Sequence, residues 1–210
     1  MVNTNFSHDL KPKCGIVLLA AGVSSRLGKP KQLLSYKGKS LLKGMSEIAS
    51  ASDAASIIVV LGANGNMLIN EIENEKIRVV VNDRWKEGLA SSIICGVNAL
   101  LETEPSADCV LLMLCDQPYV TTSLLNCIMV TQQVTRKKIV ASNYGDTLGP
   151  PSLFHKDIFP YLLKLTGDMG AKRMLQEFPG EIATVLFENG DIDIDTNNDY
   201  RMLLNEISEK

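Results

Sequence analysis

The feature of this chain that most restricts its fold is a series of short apolar runs, each about as long as one β-strand. Six of these runs are rich in Val, Ile and Leu, and they lie at residues 15–21, 57–62, 77–82, 109–115, 138–142 and 182–187. The runs are apolar throughout rather than at alternate positions, which is typical of strands covered on both faces. We therefore predict a buried strand at each of them.

The segments between the runs have the spacing of amphipathic helices. In residues 88–102 the apolar side chains recur at intervals of three and four positions, at Leu89, Ile93, Val97 and Leu100. Similar segments lie at 40–50, 66–75, 121–134, 157–165 and 198–207. Because strands alternate with helices, the pattern predicts an α/β fold, a three-layer α/β/α sandwich with a mostly parallel sheet.

A length of 210 residues suits one domain, which we place at residues 14–208 after a polar N-terminal extension at 1–13. The longest loops are predicted at 143–151 and 188–197. The extension has no apolar segment typical of a signal peptide, and no run approaches the roughly 18 residues that cross a bilayer. Five scattered cysteines without a C-x-x-C pair are interpreted as core thiols, so we expect a cytoplasmic protein.

Polar residues gather after three of the predicted strands, at 22–31, 82–92 and 116–118. Parallel α/β sheets bind their ligands beyond the carboxyl ends of the strands, so these clusters are candidates for one binding site. A formal net charge of −3 argues against a nucleic acid as the main partner. Any cationic site must therefore be local, as in the first cluster.

The first cluster is a loop rich in glycine, hydroxyl groups and cations. It is neither a Walker A loop, because Lys29 precedes Pro30, nor a G-x-G-x-x-G fingerprint. The glycines would let a ligand approach the backbone closely, while serines and cations would bind phosphate oxygens. These residues are Gly22, Ser24, Ser25, Arg26, Gly28 and Lys31. The alternative interpretation is a solvated basic loop before a helix.

Two groups of carboxylates are candidates for a metal site. Asp116 ends the run "VLLMLCDQP", where a buried carboxylate needs a cation, and Mg²⁺ bound together with substrate phosphates would supply one. The alternative is a helix N-cap, a role for which Thr121 or Thr122 is better placed. In 191–195 acidic and apolar residues alternate, so three carboxylates would share one face of a strand, either at a metal or in solvent.

The stretch "LLAAGVSSRLGKPKQLL" at 18–34 resembles the L-A-[AG]-G-x-S-x-R-[ML]-G-x-x-K pattern of nucleotidyltransferases with the MobA-like fold. Further matches follow in the same order at 82–97, 111–118 ("LLMLCDQP"), 149–154 ("GPPSLF"), 167–175 ("GDMGAKRML") and 193–200. The set is most similar to molybdenum cofactor cytidylyltransferases, because Ala21 replaces the glycine of the guanylyl branch and Asp-Gln-Pro is present. The resemblance covers nearly the whole chain and implies a Rossmann-like nucleotide-diphospho-sugar transferase fold.

The resemblance implies an enzyme that moves CMP from CTP to the terminal phosphate of molybdopterin or the molybdenum cofactor, with release of pyrophosphate. It assigns catalysis to Lys31, Arg26 and Asp116. It assigns nucleotide binding to Ala20, Ala21, Gly22, Ser24, Arg26, Lys31, Asn82, Gly88 and Ser92.

The same resemblance implies Mg²⁺ or Mn²⁺ as cofactor, bound by Asp116 and Asp193, with Asp191 as the alternative second ligand. Acceptor binding falls to Gly149, Phe154, Asp168 and Arg173. A molybdoenzyme or its insertion chaperone is an implied partner, whereas a nucleic acid or a membrane is not expected. Two alternatives stay open: transfer to a sugar or polyol phosphate, and a nucleotide-binding chaperone that delivers a cofactor without turnover.

Overall fold

The computed structural model describes residues 12–24, 27–72 and 74–208. Its centre is a sheet of seven strands in the order β5-β4-β1-β6-β8-β7-β9. The strands of this sheet are β1 (Cys14–Ala20), β4 (Ser56–Leu61), β5 (Ile77–Val81), β6 (Cys109–Leu114), β7 (Ile139–Tyr144), β8 (Thr147–His155) and β9 (Ile182–Leu186). A small hairpin of β2 (Ser35–Tyr36) and β3 (Lys39–Ser40) lies apart from it.

The sheet is mostly parallel, as predicted. Strands β5, β4, β1 and β6 run in one direction, and β7 pairs with β9 in parallel. Only β8 among them runs antiparallel to both of its neighbours, β6 and β7. The chain passes from β1 to β4 and β5 on one side and then returns to β6 on the other. The carboxyl end of β1 is therefore a topological switch point, where such sheets bind ligands.

Helices cover both faces of the sheet and complete the predicted sandwich. They are α1 (Leu41–Ser50), α2 (Gly65–Leu68), α3 (Leu89–Thr103), α4 (Thr122–Thr135), α5 (Phe159–Leu162), α6 (Lys172–Glu177) and α7 (Asn197–Ser208). One core cluster contains side chains of α1, α4 and α7, and the other contains those of α3, α5 and α6. Strand β1 supplies both, with Leu18 in the first and Val17 in the second, which explains why its sequence is apolar throughout.

The prediction of a long loop at 143–151 was wrong, because most of that segment belongs to β7, a tight turn and β8. Gly145 in the turn has a φ of 67°, which favours glycine. Opposite Ala141 and Ser142 the pairing jumps from Ser152 to Gly149, which leaves Pro150 and Pro151 in a bulge. A bulge tolerates prolines because their missing N–H groups are not needed for pairing.

Other boundaries also differ from the predictions. The helix predicted at 66–75 is short, since α2 is followed by a 3-10 turn at Ile69–Glu71, and the helix predicted at 157–165 contains only α5 after a second 3-10 turn. Helix α6 and the β2–β3 hairpin were not predicted. Residues 1–11 of the predicted N-terminal extension lie outside the described residues. No helix in the described part of the chain is long and apolar enough to cross a membrane.

The interpretation of all five cysteines as core residues was partly wrong. Cys14, Cys109 and Cys115 are buried, whereas Cys95 is half-buried and Cys127 is exposed on α4. Burial raises the pKa of the Cys109 thiol to about 12, and the pKa values of Cys14 and Cys115 are raised for the same reason. The three buried thiols are therefore protonated and unreactive at neutral pH.

Candidate active site

A cavity of about 410 Å³ opens at the switch point, beyond the carboxyl end of β1. Its walls come from the loop after β1, the end of β6 and the start of α3. The predicted site residues in its lining are Ala20, Ala21, Gly22, Lys31, Gly88, Ser92, Asp116 and Asp168. A Cβ atom at Gly22 would meet no atom of the described residues within 4 Å, so none of them blocks a ligand from the backbone there. The structure thus brings together residues that are up to 148 positions apart, from Ala20 to Asp168.

Lys31 and Asp116 form an ion pair inside this cavity. The Lys31 Nζ donates to Asp116 Oδ2 and, at 3.2 Å, to Asp195 Oδ1. The side chains of Lys31 and Asp116 are each 16% exposed, so this is a sheltered pair. Burial lowers the pKa of Lys31, but the two carboxylates outweigh it and raise the pKa above its ordinary value. Lys31 therefore stays charged and can neutralise phosphate oxygens.

The Asp116 carboxylate retains an oxygen with unused bonding capacity. Its Oδ1 is buried and has no hydrogen-bond partner within the described part of the chain. Partial desolvation of the Asp193 carboxyl, together with the charges of Asp116 and Asp195, raises the pKa of Asp193 to about 7. Both observations indicate that the positive charge near these carboxylates is too small to balance their negative charge. Such a cluster favours the binding of a divalent cation.

The donor set fits Mg²⁺ or Mn²⁺ held jointly with a nucleotide. Within residues 12–24, 27–72 and 74–208, no three or more His, Cys, Asp or Glu side chains are arranged to hold a metal by themselves. Mg²⁺ commonly binds through one or two carboxylates and takes its remaining ligands from water and substrate phosphates. Asp116 and Asp193 match that requirement, because Asp116 offers a free oxygen and Asp193 lies in its field.

The acidic segment 191–195 is an irregular loop rather than a strand with three carboxylates on one face. The Ile194 side chain is fully buried, and its backbone N–H donates to Asp116 O at 3.1 Å. This attachment holds the loop beside the end of β6. Asp195, one of the three carboxylates predicted to lie at a metal or in solvent, is the residue of this loop that pairs with Lys31.

A polar wall formed by α3 and the loop before it closes another side of the cavity. Asn82 is buried and does not line the cavity; its Nδ2 donates to Ser91 Oγ at 2.8 Å and to Ser92 Oγ at 3.0 Å. Gly88 has a φ of 98°, and a Cβ atom there would lie 2.4 Å from Gly167 O. Asn82 thus orients Ser92, and Gly88 allows the loop around Gly167 to approach.

A second, smaller cavity of about 170 Å³ adjoins the first and shares Leu19, Leu89 and Leu114 with it. Its lining is almost entirely apolar and includes Gly149 and Pro150 of the bulge. The polar side chains in the lining are those of Ser152 and Lys172. Ser152 Oγ donates to Gly149 O at 2.5 Å, whereas Lys172 has no hydrogen bond or ion pair with any described residue.

Besides Asn82 and Asp193, three further predicted site residues line neither cavity, and Arg26 cannot be placed. Phe154 is fully buried in the core, so we remove it from the acceptor contacts. Arg173 lines neither cavity and is paired with Glu177, while Ser24 accepts a hydrogen bond from Lys31 N at 2.7 Å without lining the first cavity. Arg26 lies outside the described residues.

Sequence reasoning missed several side chains in the first cavity. Trp85 and Lys86 belong to a 3-10 turn, and the Lys86 Nζ lies 5.5 Å from the centre of the Trp85 ring. Gln32 follows Lys31 directly and is 2% exposed. Its only signal in the sequence was its position inside the quoted 18–34 motif.

Comparison with known proteins agrees with this geometry. The family described as the MobA-like NTP transferase domain matches residues 16–182. This chain belongs to that family. It is 30% identical over 197 residues to nicotine blue oxidoreductase of Paenarthrobacter nicotinovorans, an alignment that covers 89% of this chain and 95% of that protein. It is 27% identical over 203 residues to the purine catabolism protein PucB of Bacillus subtilis strain 168, covering 91% and 96%.

Solved structures of similar proteins share the architecture. The crystal structure of Rv0371c from Mycobacterium tuberculosis H37Rv has a TM-score of 0.80 and 28% identity, and the match covers 92% of this chain and 98% of that one. The complex of Rv0371c with manganese has a TM-score of 0.75 and 26% identity, with the same coverage of 92% and 98%. Membership of the MobA-like NTP transferase family therefore accounts for the α/β fold.

Proposed function

We propose that this protein transfers CMP from CTP to the terminal phosphate of molybdopterin or the molybdenum cofactor and releases pyrophosphate. The observation that carries the proposal is the Lys31–Asp116 pair inside a cavity at the switch point of the sheet. A nucleotidyl transfer needs a cation against the triphosphate and a carboxylate for a divalent metal, and this pair supplies both groups. The molybdenum-linked acceptor rests on the sequence resemblance described above.

In the proposed reaction an acceptor phosphate oxygen attacks the α-phosphorus of CTP in line with the departing pyrophosphate. The attacking oxygen is already ionised at neutral pH, so the protein needs no general base. Its task is to position two phosphates and to neutralise their charge. Lys31 would leave its carboxylate partners to donate to the triphosphate, and the open backbone at Gly22 would let the nucleotide approach closely. Ser92 would border the base and ribose.

Asp116 and Asp193 would hold the divalent cation. When bound, this ion would neutralise negative charge on the phosphates of the nucleotide. The manganese complex of the similar Rv0371c structure supports a divalent cation in this fold. A direct metal titration would distinguish Mg²⁺ from Mn²⁺ as the ion that serves the reaction.

The second cavity is the proposed binding site for the body of the acceptor. It adjoins the first cavity through Leu19 and Leu114, so an acceptor there would lie beside the nucleotide phosphates. The ammonium of Lys172, without a protein partner among the described residues, is available to an acceptor phosphate. A sugar or polyol carries a hydroxyl group on most of its carbons, and each one left without a partner against this apolar wall would cost about 1–3 kcal/mol. The wall can instead pack against the face of a flat heterocycle, whose polar atoms lie at its edge, so the cavity favours such a ring over a sugar or polyol phosphate.

A second candidate function comes from the relative named nicotine blue oxidoreductase, which is 30% identical to this chain. The large cavity would then hold a nicotinamide nucleotide and the apolar cavity a flat aromatic substrate. The Lys31–Asp116 pair favours phosphoryl chemistry over this alternative, because hydride transfer needs no metal-binding carboxylate. A chaperone without turnover is disfavoured on the same ground.

A substrate panel tests the proposal. Pyrophosphate release would be measured from CTP, GTP, ATP and UTP with Mg²⁺ or Mn²⁺, each with molybdopterin, with a polyol phosphate and without acceptor. We expect release that requires CTP and molybdopterin together. In parallel, oxidation of NADH and NADPH would be followed with a quinone-type dye. Pyrophosphate release with the polyol phosphate but not with molybdopterin would indicate a polyol-phosphate transferase instead. Nucleotide binding without release would indicate a chaperone, and dye reduction would indicate an oxidoreductase.

A further inference from the structure

Gln32 is a buried polar side chain that the proposed reaction does not yet use. It lies in the 3-10 turn Lys31–Leu33 and is 2% exposed. Its side-chain Nε2 donates to Ala20 O at 2.8 Å and to Gly22 O at 3.0 Å. One amide group thus bridges the two ends of the segment that leaves β1.

These two hydrogen bonds occupy both donor hydrogens of the Gln32 side-chain amide. An amide NH₂ group has two hydrogens, and both partners are carbonyls, which only accept. The intervening Ala21 O accepts from Ala63 N at 3.4 Å. All three carbonyl groups of 20–22 therefore have a donor within the protein, and the orientation of their peptide planes is fixed before a ligand arrives.

The same turn holds the loop at a further point. The backbone N–H of Lys31 donates to Ser24 Oγ at 2.7 Å, while the Lys31 side chain reaches Asp116. Lys31 and Gln32 therefore connect the loop after β1 to the carboxylate of Asp116, which follows β6. A change in the conformation of the loop would move Lys31, and a displacement of Lys31 would move the loop.

We infer that Gln32 is a positioning residue that sets the backbone of 20–22 and thereby determines nucleotide affinity and base selectivity. The inference rests on the proposed function, because it assumes that the first cavity holds the nucleotide. Backbone groups beside the base can discriminate between nucleotides only while their directions are fixed. A fixed backbone cannot turn to pair with a base whose donors and acceptors are placed differently, so the wrong base leaves polar groups unpaired. Gln32 would act through this backbone and need not touch the nucleotide.

The test compares Gln32→Met and Gln32→Glu with the same substitutions at Gln132. Gln132 is a matched control because it is also buried, at 5% exposure, and also donates to a carbonyl, that of Lys137, but it lies on α4 outside both cavities. The affinities of CTP, UTP, ATP and GTP with Mg²⁺ would be measured by calorimetry without acceptor. Circular dichroism would establish which variants are folded.

We expect each folded Gln32 variant to bind the preferred nucleotide about tenfold more weakly, because binding must then order a backbone that has lost the two hydrogen bonds of the amide. The ratio between the best and the worst nucleotide should fall as well. In turnover the KM for the nucleotide should rise, while the KM for the acceptor and most of kcat are retained. The Gln132 variants should change thermal stability alone.

Wild-type affinity and wild-type selectivity in a folded Gln32→Met variant would overturn the inference and leave the proposed function intact. If both Gln32 variants fail to fold, Gln32→Asn, which keeps the amide but cannot span the two carbonyls, decides in their place. If that variant also fails, hydrogen exchange of the wild-type chain decides. If the backbone amides of 20–24 all exchange at the rate of an unstructured chain, and if adding nucleotide does not slow their exchange, the inference of a preset loop is refuted. A wild-type protein that binds no nucleotide refutes the proposed function itself.

Discussion

The Lys31 ammonium donates to the Asp116 carboxylate across 85 residues of sequence, and both side chains are 16% exposed. The pair joins the loop after β1 to the end of β6, so the two central strands of the sheet deliver opposite charges to one point. The two groups pair with each other, while Asp116 Oδ1 has no partner among the described residues and Lys31 donates also to Asp195. Both groups would have to change partners when a metal and a triphosphate bind, and this exchange can be tested from either side.

Replacing Asp116 with asparagine tests the carboxylate. A neutral amide binds Mg²⁺ weakly, so Asp116→Asn should lower kcat by about 10²–10³-fold, as expected when a group that stabilises transition-state charge is removed. The fold should be retained, because the change adds no volume, and far-ultraviolet circular dichroism checks this. Near-normal pyrophosphate release at limiting Mg²⁺ would show that Asp116 is not a metal ligand.

Replacing Lys31 with methionine tests the ammonium through metal binding alone. Lys31 pairs with Asp116 and Asp195, so a divalent cation that binds these carboxylates must compete with its charge. Lys31→Met should therefore bind Mn²⁺ about tenfold more tightly without nucleotide and bind CTP more weakly. Loss of the free Mn²⁺ signal in electron paramagnetic resonance measures the first effect, and calorimetry measures the second.

Lys86→Met is the matched control for this experiment. Lys86 lines the same cavity, but its ammonium lies over the Trp85 ring rather than beside the carboxylates. Removing this charge should change Mn²⁺ affinity much less than removing that of Lys31. Equal effects of the two substitutions would mean that the general charge of the cavity, not direct competition at Asp116, controls metal binding.

The sequence was sufficient for the central strands and for placing Lys31 and Asp116 at one edge of the sheet, but it did not predict the ion pair between them. Strands such as β1 and β6 are apolar without interruption, and a polar residue directly after them must lie at the ligand-binding edge of the sheet. Strand β8 was missed because Gly149 and two prolines are typical of loops, and only the pairing with β7 shows that a bulge accommodates them. Local patterns carry no information about such a tertiary arrangement.

Residues whose role depends on contacts with distant parts of the chain could not be predicted from the sequence, for the same reason. Asp195 is 164 residues from Lys31 in sequence, and only the fold brings them together. Gln32 has no pattern that distinguishes it from a solvated glutamine until its two carbonyl partners are seen. The opposite error occurred at Phe154, which the motif placed beside the acceptor and the structure places in the core.

The cysteines give a prediction that does not depend on the reaction. Cys127 is exposed and should react quickly with a maleimide at pH 7, whereas burial raises the pKa of half-buried Cys95 and should slow its reaction. Cys14, Cys109 and Cys115 should react only after denaturation. Mass spectrometry of peptides after timed labelling measures the order, and rapid native labelling of Cys115 would contradict the packing around β6.

The last prediction concerns Pro150, which lines the apolar cavity and whose carbonyl accepts from Gln117 Nε2 at 3.2 Å. Pro150 offers a ligand in this cavity neither a side-chain donor nor a backbone N–H. Because it lies in a bulge, a histidine there need not disturb the pairing of β8. Pro150→His should therefore keep the fold and add a donor beside the acceptor.

A hydrogen bond to a charged phosphate is worth about 1.5–3 kcal/mol, so Pro150→His should lower the KM for molybdopterin by about tenfold. The affinity for CTP should stay unchanged, because Pro150 does not line the first cavity. Pro179→His, an exposed proline outside both cavities, is the matched control and should change neither value. If Pro150→His instead alters CTP binding by calorimetry and spares the acceptor, the strand β8 belongs to the nucleotide side of the site and the proposed positions of the two substrates must be exchanged.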